Sequence, residues 1–233
     1  LCHKKKIILM TGYNLRFLPT LSEFHRQLHL EKIGKILSVR AEVGQYLPRW
    51  RPDCDYRLSV SARKDLGGGV LLELSHEIDY LSWLFGTAKW VKSSISKQSD
   101  LKIDVEDLAH LIMGFETPLG NQITTSLCMD FIRHDECRQC LAIGEKGTLH
   151  WDGIAGKVNY FPEKGKEWEV IFSSEPKSDS TYLDVSYVEE IKHFFASVNR
   201  NESPLISGKD GLNTLLIIEA IQKSNENGSV VLL

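Results

Sequence analysis

Short alternating segments fill the middle of this chain and constrain its fold more than any other feature. Between Ala88 and Val170, turn signals such as Gly144-Glu145-Lys146-Gly147 separate runs in which apolar and polar residues alternate. The runs are Val91–Lys97, Leu108–Phe115, Ile123–Phe131, Arg138–Ile143, Thr148–Trp151, Lys157–Phe161 and Trp168–Phe172. Because successive side chains of a strand point to opposite faces, the pattern predicts a large, mostly antiparallel sheet.

Helices and single strands are expected on both sides of the sheet segment. The predicted elements are a buried strand over Lys6–Tyr13, a helix from Pro19 to about Gly34, a strand over Lys35–Leu47, helices over Leu183–Val198 and Gly208–Asn225, and a closing strand over Val230–Leu233. This order predicts an α+β fold in which a large, mostly antiparallel open sheet packs on helices.

The two C-terminal helices carry apolar stripes at helical spacing, which we expect to face the core. The stripes are Val188, Ile191, Phe195 and Val198 on the first helix, and Leu212, Leu215, Ile218 and Ile221 on the second, with Leu216 beside them. The run from Leu108 to Phe115 is apolar on both faces. One face would pack on helices, and a partner subunit would cover the other, so a homo-oligomer is expected.

Composition excludes several classes of function. The chain has 233 residues, with 42% hydrophobic and 25% charged residues, which is ordinary for a globular protein of one large or two small domains. A net charge of −3 offers no long-range attraction to nucleic acid or to an anionic membrane. No apolar run approaches the roughly 18 residues of a membrane span.

Five cysteines form an odd set, which indicates free thiols in a reducing cytoplasm, and no secretory signal is evident. His134, Cys137 and Cys140 are spaced three apart and could begin a zinc site. No fourth ligand is obvious nearby. Residues three apart in a strand point to opposite faces, so we expect buried or half-buried thiols and no metal.

The segment Gly67–Asp79 combines three glycines with a helix that carries titratable residues. At about 100° per residue, one face presents Leu71, Leu74, Ile78, Leu81 and Phe85. Glu73, His76, Glu77 and Tyr80 cluster on nearly the opposite face, with Asp79 between the two. The glycines allow a close backbone approach to a ligand. The segment is either a ligand-binding element or an amphipathic surface helix with a solvated histidine.

A long loop with aromatic and cationic side chains precedes the glycines. It runs from Pro48 to Leu66 and contains Trp50, Arg51, Tyr56 and Arg57. Long loops with such residues tend to line sites, and the composition suits a polyhydroxylated ligand, either neutral or anionic. The alternative is that the arginines are solvated loop cations.

The order of several weak motifs resembles the second, substrate-binding half of the Gfo/Idh/MocA family of nicotinamide-dependent oxidoreductases. The motifs are Gly12-Tyr13-Asn14-Leu15-Arg16-Phe17-Leu18-Pro19, Gly34-Lys35-Ile36, Gly67–Asp79, Ile143-Gly144-Glu145-Lys146-Gly147-Thr148-Leu149, Tyr187 with Phe194-Phe195, Gly211-Leu212 and the last strand. The resemblance implies a dihydrodipicolinate-reductase-like fold and a substrate that is a sugar, sugar nucleotide or cyclitol.

The resemblance also implies roles for individual residues. His76 matches the family histidine that acts as general acid/base, and Asp79 matches the aspartate three residues later. Glu73 stands three residues before the histidine, where many members place an acidic residue four before it. Asn14 and Arg16 would lie at the domain junction, near the cofactor or substrate. Further residues expected near substrate or cofactor are Trp50, Arg51, Tyr56, Arg57 and Tyr80. Either Arg51 or Arg57 would match the family's Trp-Arg or Tyr-Arg element before the glycines.

The nucleotide-binding half of such a family is not recognisable in these residues. No G-x-G-x-x-G lies between a strand and a helix, so NAD or NADP would belong to the full-length parent and this chain alone would bind neither. Residues 1–18 would be a remnant of the junction, and residues 19–233 the substrate-binding and oligomerisation domain. The alternative functions are a non-enzymatic ligand-binding or regulatory module, or a fold in which the histidine is incidental.

Overall fold

The computed structural model describes residues 1–174 and 182–233, and its main element is a nine-stranded sheet. The strands are β1 Ile36–Gly44, β2 Thr87–Ser96, β3 Leu108–Glu116, β4 Gln122–Asp130, β5 Cys137–Gly144, β6 Gly147–Asp152, β7 Lys157–Pro162, β8 Glu169–Ser173 and β9 Val231–Leu232. The helices are α1 Cys2–Lys5, α2 Pro19–His29, α3 Leu47–Trp50, α4 Val70–Glu73, α5 Ser75–Phe85, α6 Tyr182–Arg200 and α7 Gly208–Asn227. The predicted α+β class and the open sheet are confirmed.

The strand order is β8-β7-β6-β5-β1-β4-β3-β2-β9. All neighbours are antiparallel except β1 and β4, which run parallel, so the early strand β1 lies in the middle of the sheet. The period-two pattern explains which residues face the core: Val39, Ala41 and Val43 of β1 are buried on the inner face of the sheet. This central position of β1 brings residues from both ends of the chain to one core.

Helices cover only the inner face of the sheet. Helix α2 packs on β6 and β7, where Trp151 Nε1 donates a hydrogen bond to Thr20 Oγ1 at 3.0 Å. Helix α7 packs on β2, where Ser93 Oγ donates to the Ile221 carbonyl at 2.6 Å. The stripe Leu71, Leu74, Ile78, Leu81 and Phe85 is buried between these layers, as its spacing predicts.

The outer face of the sheet is not covered by any element of the described chain. His110 and Ile112 of β3 point outward and are exposed, while Ala109, Leu111 and Met113 are buried on the inner face. A groove of about 800 Å³ runs across the outer face and is lined by Arg40, Lys92 and His150 among others. The open face is thus mixed in character, with cationic and apolar side chains side by side.

Three of the predicted elements are wrong in detail. Residues 6–13 form no strand: only Met10 makes a single antiparallel bridge, to Ser207, and Ile7 and Leu9 are exposed. A strand needs a partner along its length, and here the edge of β2 pairs with β9 instead. Helix α2 ends at His29, before Gly34, and the helix after the glycines is interrupted at Leu74.

The stripes of the C-terminal helices do not all face the core. Val188, Ile191, Phe195 and Val198 of α6 are each about half exposed, and so are Leu212, Leu215 and Leu216 of α7, whereas Ile218 and Ile221 are buried. Helix α6 packs on the short 3-10 turn Asn14–Phe17 through small and polar residues, so its apolar stripe is left outside. Within the described residues, no helix is both long and apolar enough to cross a lipid bilayer.

Candidate active site

The three glycines allow the chain to pass close to the preceding turn before α4 begins. Gly69 has φ of +106°, a conformation that side chains rarely adopt. A Cβ on Gly68 would lie 2.2 Å from the Val60 carbonyl oxygen. Glycine is therefore required on steric grounds, and it fixes where α4 and α5 start.

The break at Leu74 presents two titratable side chains to one cavity. Glu73 ends α4, and His76 lies in the first turn of α5. Both line a cavity of about 590 Å³, as do Asn14, Trp50 and Arg51. The structure thus brings together five of the residues singled out from the sequence, which come from four separate segments.

His76 has an environment that favours the neutral imidazole. The ring packs edge-on against Tyr13 with centroids 5.3 Å apart, and Nδ1 is buried with no hydrogen-bond partner among the described residues. Burial and the positive charge of Arg138 lower the pKa of His76 from 6.5 to about 4. A neutral imidazole at pH 7 can accept a proton from a ligand hydroxyl.

The other cavity residues are held by defined contacts. Glu73 Oε2 accepts a hydrogen bond from Ser61 Oγ at 2.6 Å, and buried Asn14 donates from Nδ2 to Ser186 Oγ at 2.7 Å. Trp50 packs on Phe131 with rings at 84°, and its buried Nε1 has no partner among the described residues. Arg51 is exposed at the rim. The cavity thus offers an acid, an amide, an indole and a guanidinium around His76.

Asp79 and Arg16 face each other in the core and do not line this cavity. Arg16 donates from Nε and Nη2 to the two carboxylate oxygens of Asp79, at 2.9 and 2.7 Å. Arg16 also lies 3.4 Å from Asp210, at the start of α7. Burial raises the pKa of Asp79, against the opposing charge of Arg16. This bidentate contact ties the 3-10 turn to α5 and α7.

Three further residues singled out from the sequence also lie away from the cavity. Tyr80 is fully buried, with its ring 5.5 Å from that of Trp151. The Tyr56 hydroxyl accepts a hydrogen bond from the backbone N–H of Lys102. Arg57 pairs with Asp55 on the surface, so of the two loop arginines only Arg51 lines the cavity.

Glu77 and Arg138 were not singled out as site residues from the sequence. Glu77 is completely buried, and its Oε1 lies 3.0 Å from Arg138 Nε. Burial raises the pKa of Glu77, against the opposing charge of Arg138. Arg138 lines the cavity beside His76. The sequence contains one signal for Arg138. In the alternation of β5, Arg138 shares a face with Cys140, which places it on the inner side of the sheet.

The thiols considered for zinc do not converge. Cys140 is buried in the core, whereas Cys137 is half-buried, with its Sγ 3.8 Å from Glu42 Oε2. Their opposite orientation follows from the odd separation within β5. All five cysteines are unpaired, and the described residues contain no cluster of three metal-ligating side chains.

Comparisons with known proteins identify relatives of this chain. Myo-inositol 2-dehydrogenase of Thermotoga maritima is 26% identical, over 96% of this chain and 64% of its own length. Among solved structures, levoglucosan dehydrogenase in complex with NADH superposes with a TM-score of 0.81 at 20% identity, covering 99% of this chain and 67% of that one. Aldose–aldose oxidoreductase from Caulobacter crescentus, complexed with glycerol, gives 0.79 at 21% identity, covering 100% and 66%.

The chain therefore spans about two thirds of the length of the proteins it matches. The family model described as the C-terminal α/β domain of an oxidoreductase family, Gfo/Idh/MocA, matches residues 25–233. That range contains the whole sheet and all of the cavity residues except Asn14 and Leu15. On this match the chain belongs to the Gfo/Idh/MocA oxidoreductase family, of which it carries the C-terminal α/β domain.

Proposed function

We propose that this chain is the substrate-binding part of a NAD(P)-dependent oxidoreductase that acts on a sugar, sugar nucleotide or cyclitol. Residues 19–233 form the substrate-binding and oligomerisation domain, and residues 1–18 form the junction. The main support is the neutral His76 beside Glu73 in a cavity of about 590 Å³. The named relatives, which act on myo-inositol and levoglucosan, support the substrate class.

His76 would remove the proton from the ligand hydroxyl during oxidation and return it during reduction. Glu73 and Asn14 would orient the hydroxyl groups, and Trp50 would cover an apolar face of the ring. A nicotinamide, when bound, would take up or supply the hydride. The residues of this chain include no glycine-rich strand-to-helix turn for the pyrophosphate, so a separate nucleotide-binding part must hold it.

The experiment that tests this assignment is a pair of titrations on the 233-residue chain. Heteronuclear NMR titration with myo-inositol and D-glucose is expected to shift resonances of His76 and Asn14. Isothermal titration with NAD(H) and NADP(H) is expected to show no micromolar binding. Micromolar nucleotide binding would contradict the assignment of this chain to the substrate half. An absence of any polyol-dependent shift would contradict the substrate assignment itself.

A non-enzymatic ligand-binding or regulatory module is the second candidate. Under this alternative the chain would bind the same polyols, but would show no turnover when joined to a nucleotide-binding domain.

In either case we place the protein in the cytoplasm, because its five thiols are unpaired.

We also propose that the outer face of the sheet forms a homo-oligomer interface. Sedimentation velocity at micromolar concentration is expected to show a dimer or larger species, because the outer face exposes Ile112 within a groove of about 800 Å³. Ile112→Lys should shift the chain toward monomer, and Leu119→Lys, in an exposed turn between β3 and β4, should not. A wild-type monomer would overturn the proposal.

A further inference from the structure

Arg138 is the cationic side chain of the cavity whose position is set by a buried partner. The side chain is 17% exposed, and it reaches the cavity from β5 on the inner face of the sheet. Its Nε is buried and lies 3.0 Å from Oε1 of Glu77, which is completely buried. Neither atom has a hydrogen-bond partner among the described residues, so an ion pair with Glu77 holds the inner end of the guanidinium.

The outer end of the Arg138 guanidinium consists of its two terminal nitrogens, Nη1 and Nη2. Among the residues whose side chains the structure describes, 4–174 and 185–233, none accepts a hydrogen bond from Nη1 or Nη2 of Arg138. The side chain is 17% exposed and lines the cavity, and neither atom is among the buried atoms without a partner. Two adjacent N–H donors in the plane of one guanidinium make a fork for an anion.

The remaining charges of the cavity leave this fork available. Glu73 is engaged by Ser61, and Glu136 lies exposed at the rim. Arg51 is also exposed and has no side-chain partner in the part of the chain described. Within the described part of the chain, Glu77 is the carboxylate that forms an ion pair with Arg138, and it is completely buried.

We propose that Arg138 binds a carboxylate of the substrate, so that the ligand of this cavity is a sugar acid and not a neutral sugar. The inference rests on the proposed function, because it assigns a substrate class to the same site. A carboxylate matches two parallel N–H donors and carries a single charge. A phosphate dianion is less suitable, because Glu73 and Glu136 line the same cavity.

The test compares three ligands that differ only at one carbon of the sugar: D-glucuronate, D-glucose and D-glucose 6-phosphate. Their affinities for the 233-residue chain are measured by NMR titration at low ionic strength. D-glucuronate is expected to bind about tenfold to a hundredfold more tightly than D-glucose, as a charge-assisted pair of hydrogen bonds predicts. D-glucose 6-phosphate is expected to bind more weakly than D-glucuronate.

Matched variants separate anion binding from a purely structural role. Arg138→Gln alone leaves Glu77 buried and unpaired, which threatens folding. The double variant Glu77→Gln with Arg138→Gln removes both charges and should bind the two sugars equally. Glu77→Gln alone keeps the guanidinium and should keep the preference. Arg63→Gln, in an exposed pair with Asp65 outside the cavity, is the control and should also keep it.

The outcomes distinguish this inference from the proposed function. Equal binding of D-glucuronate and D-glucose by the wild type would overturn the role of Arg138 and leave the polyol site intact. A preference that survives in the folded double variant would overturn it as well. Tighter binding of D-glucose 6-phosphate would assign the fork to phosphate. Binding of none of the three sugars would overturn both this inference and the substrate assignment.

Discussion

Replacing His76 with alanine is expected to lower kcat by about 10²–10⁴-fold when the chain is joined to the nucleotide-binding domain that the proposed function requires. The histidine lines the cavity, its Nδ1 has no hydrogen-bond partner in the described part of the chain, and its lowered pKa of about 4 keeps the ring neutral at pH 7. Loss of the imidazole removes the base and leaves the fold of α5 in place. Steady-state kinetics with saturating substrate and nucleotide would measure the change.

A control and a pH profile make this expectation specific. His29→Ala, at the exposed end of α2, should leave kcat unchanged. Because the pKa of His76 is lowered, the neutral base persists as the pH falls below 6.5, and activity should decline only as the pH approaches about 4. An unchanged kcat in His76→Ala would show that the histidine is incidental to the chemistry.

Asp79→Ala is expected to lower the free energy of unfolding by about 3–5 kcal/mol, since it leaves Arg16 buried without its main partner. The two side chains are 6% and 1% exposed, and two hydrogen bonds join them. Asp210 lies 3.4 Å from Arg16 and is one-third exposed, so it compensates only in part. Urea denaturation followed by circular dichroism would measure the loss.

The matched variant is Asp65→Ala, which breaks an exposed pair with Arg63. That change should leave the urea midpoint unaltered, because exposed ion pairs are screened by solvent. A chain that keeps its stability in Asp79→Ala but loses polyol binding would contradict this structural assignment. Such a result would instead give Asp79 the site role that the family resemblance implies.

The sheet could be predicted from the sequence because its signal is local. Each strand from β2 to β8 contains most of a run with period two, since one face must be buried. The same reasoning failed for residues 6–13, where apolar residues have no strand edge to pair with. It failed for α6 because an apolar stripe predicts a buried face without saying which surface will bury it.

Part of the site could also be predicted from the sequence, because that part depends on local signals. Three glycines and the spacing of Glu73 and His76 are local, and both residues line the cavity. Tyr80 and Glu77 lie on the face expected to carry titratable groups toward a ligand or solvent, yet both are fully buried. A helix turned toward a sheet buries more than one stripe, and helical periodicity cannot reveal how much the neighbouring strands cover.

From its residues alone, the chain could be assigned to an open α+β sheet, with a glycine-led helix carrying His76. Those features depend on backbone sterics and on side-chain alternation over a few residues. Only the tertiary packing determines which charged groups contact each other. Arg16 and Asp79 are 63 positions apart, and Arg138 of β5 contacts Glu77 of α5. Such contacts depend on strand order and register, which no local pattern encodes.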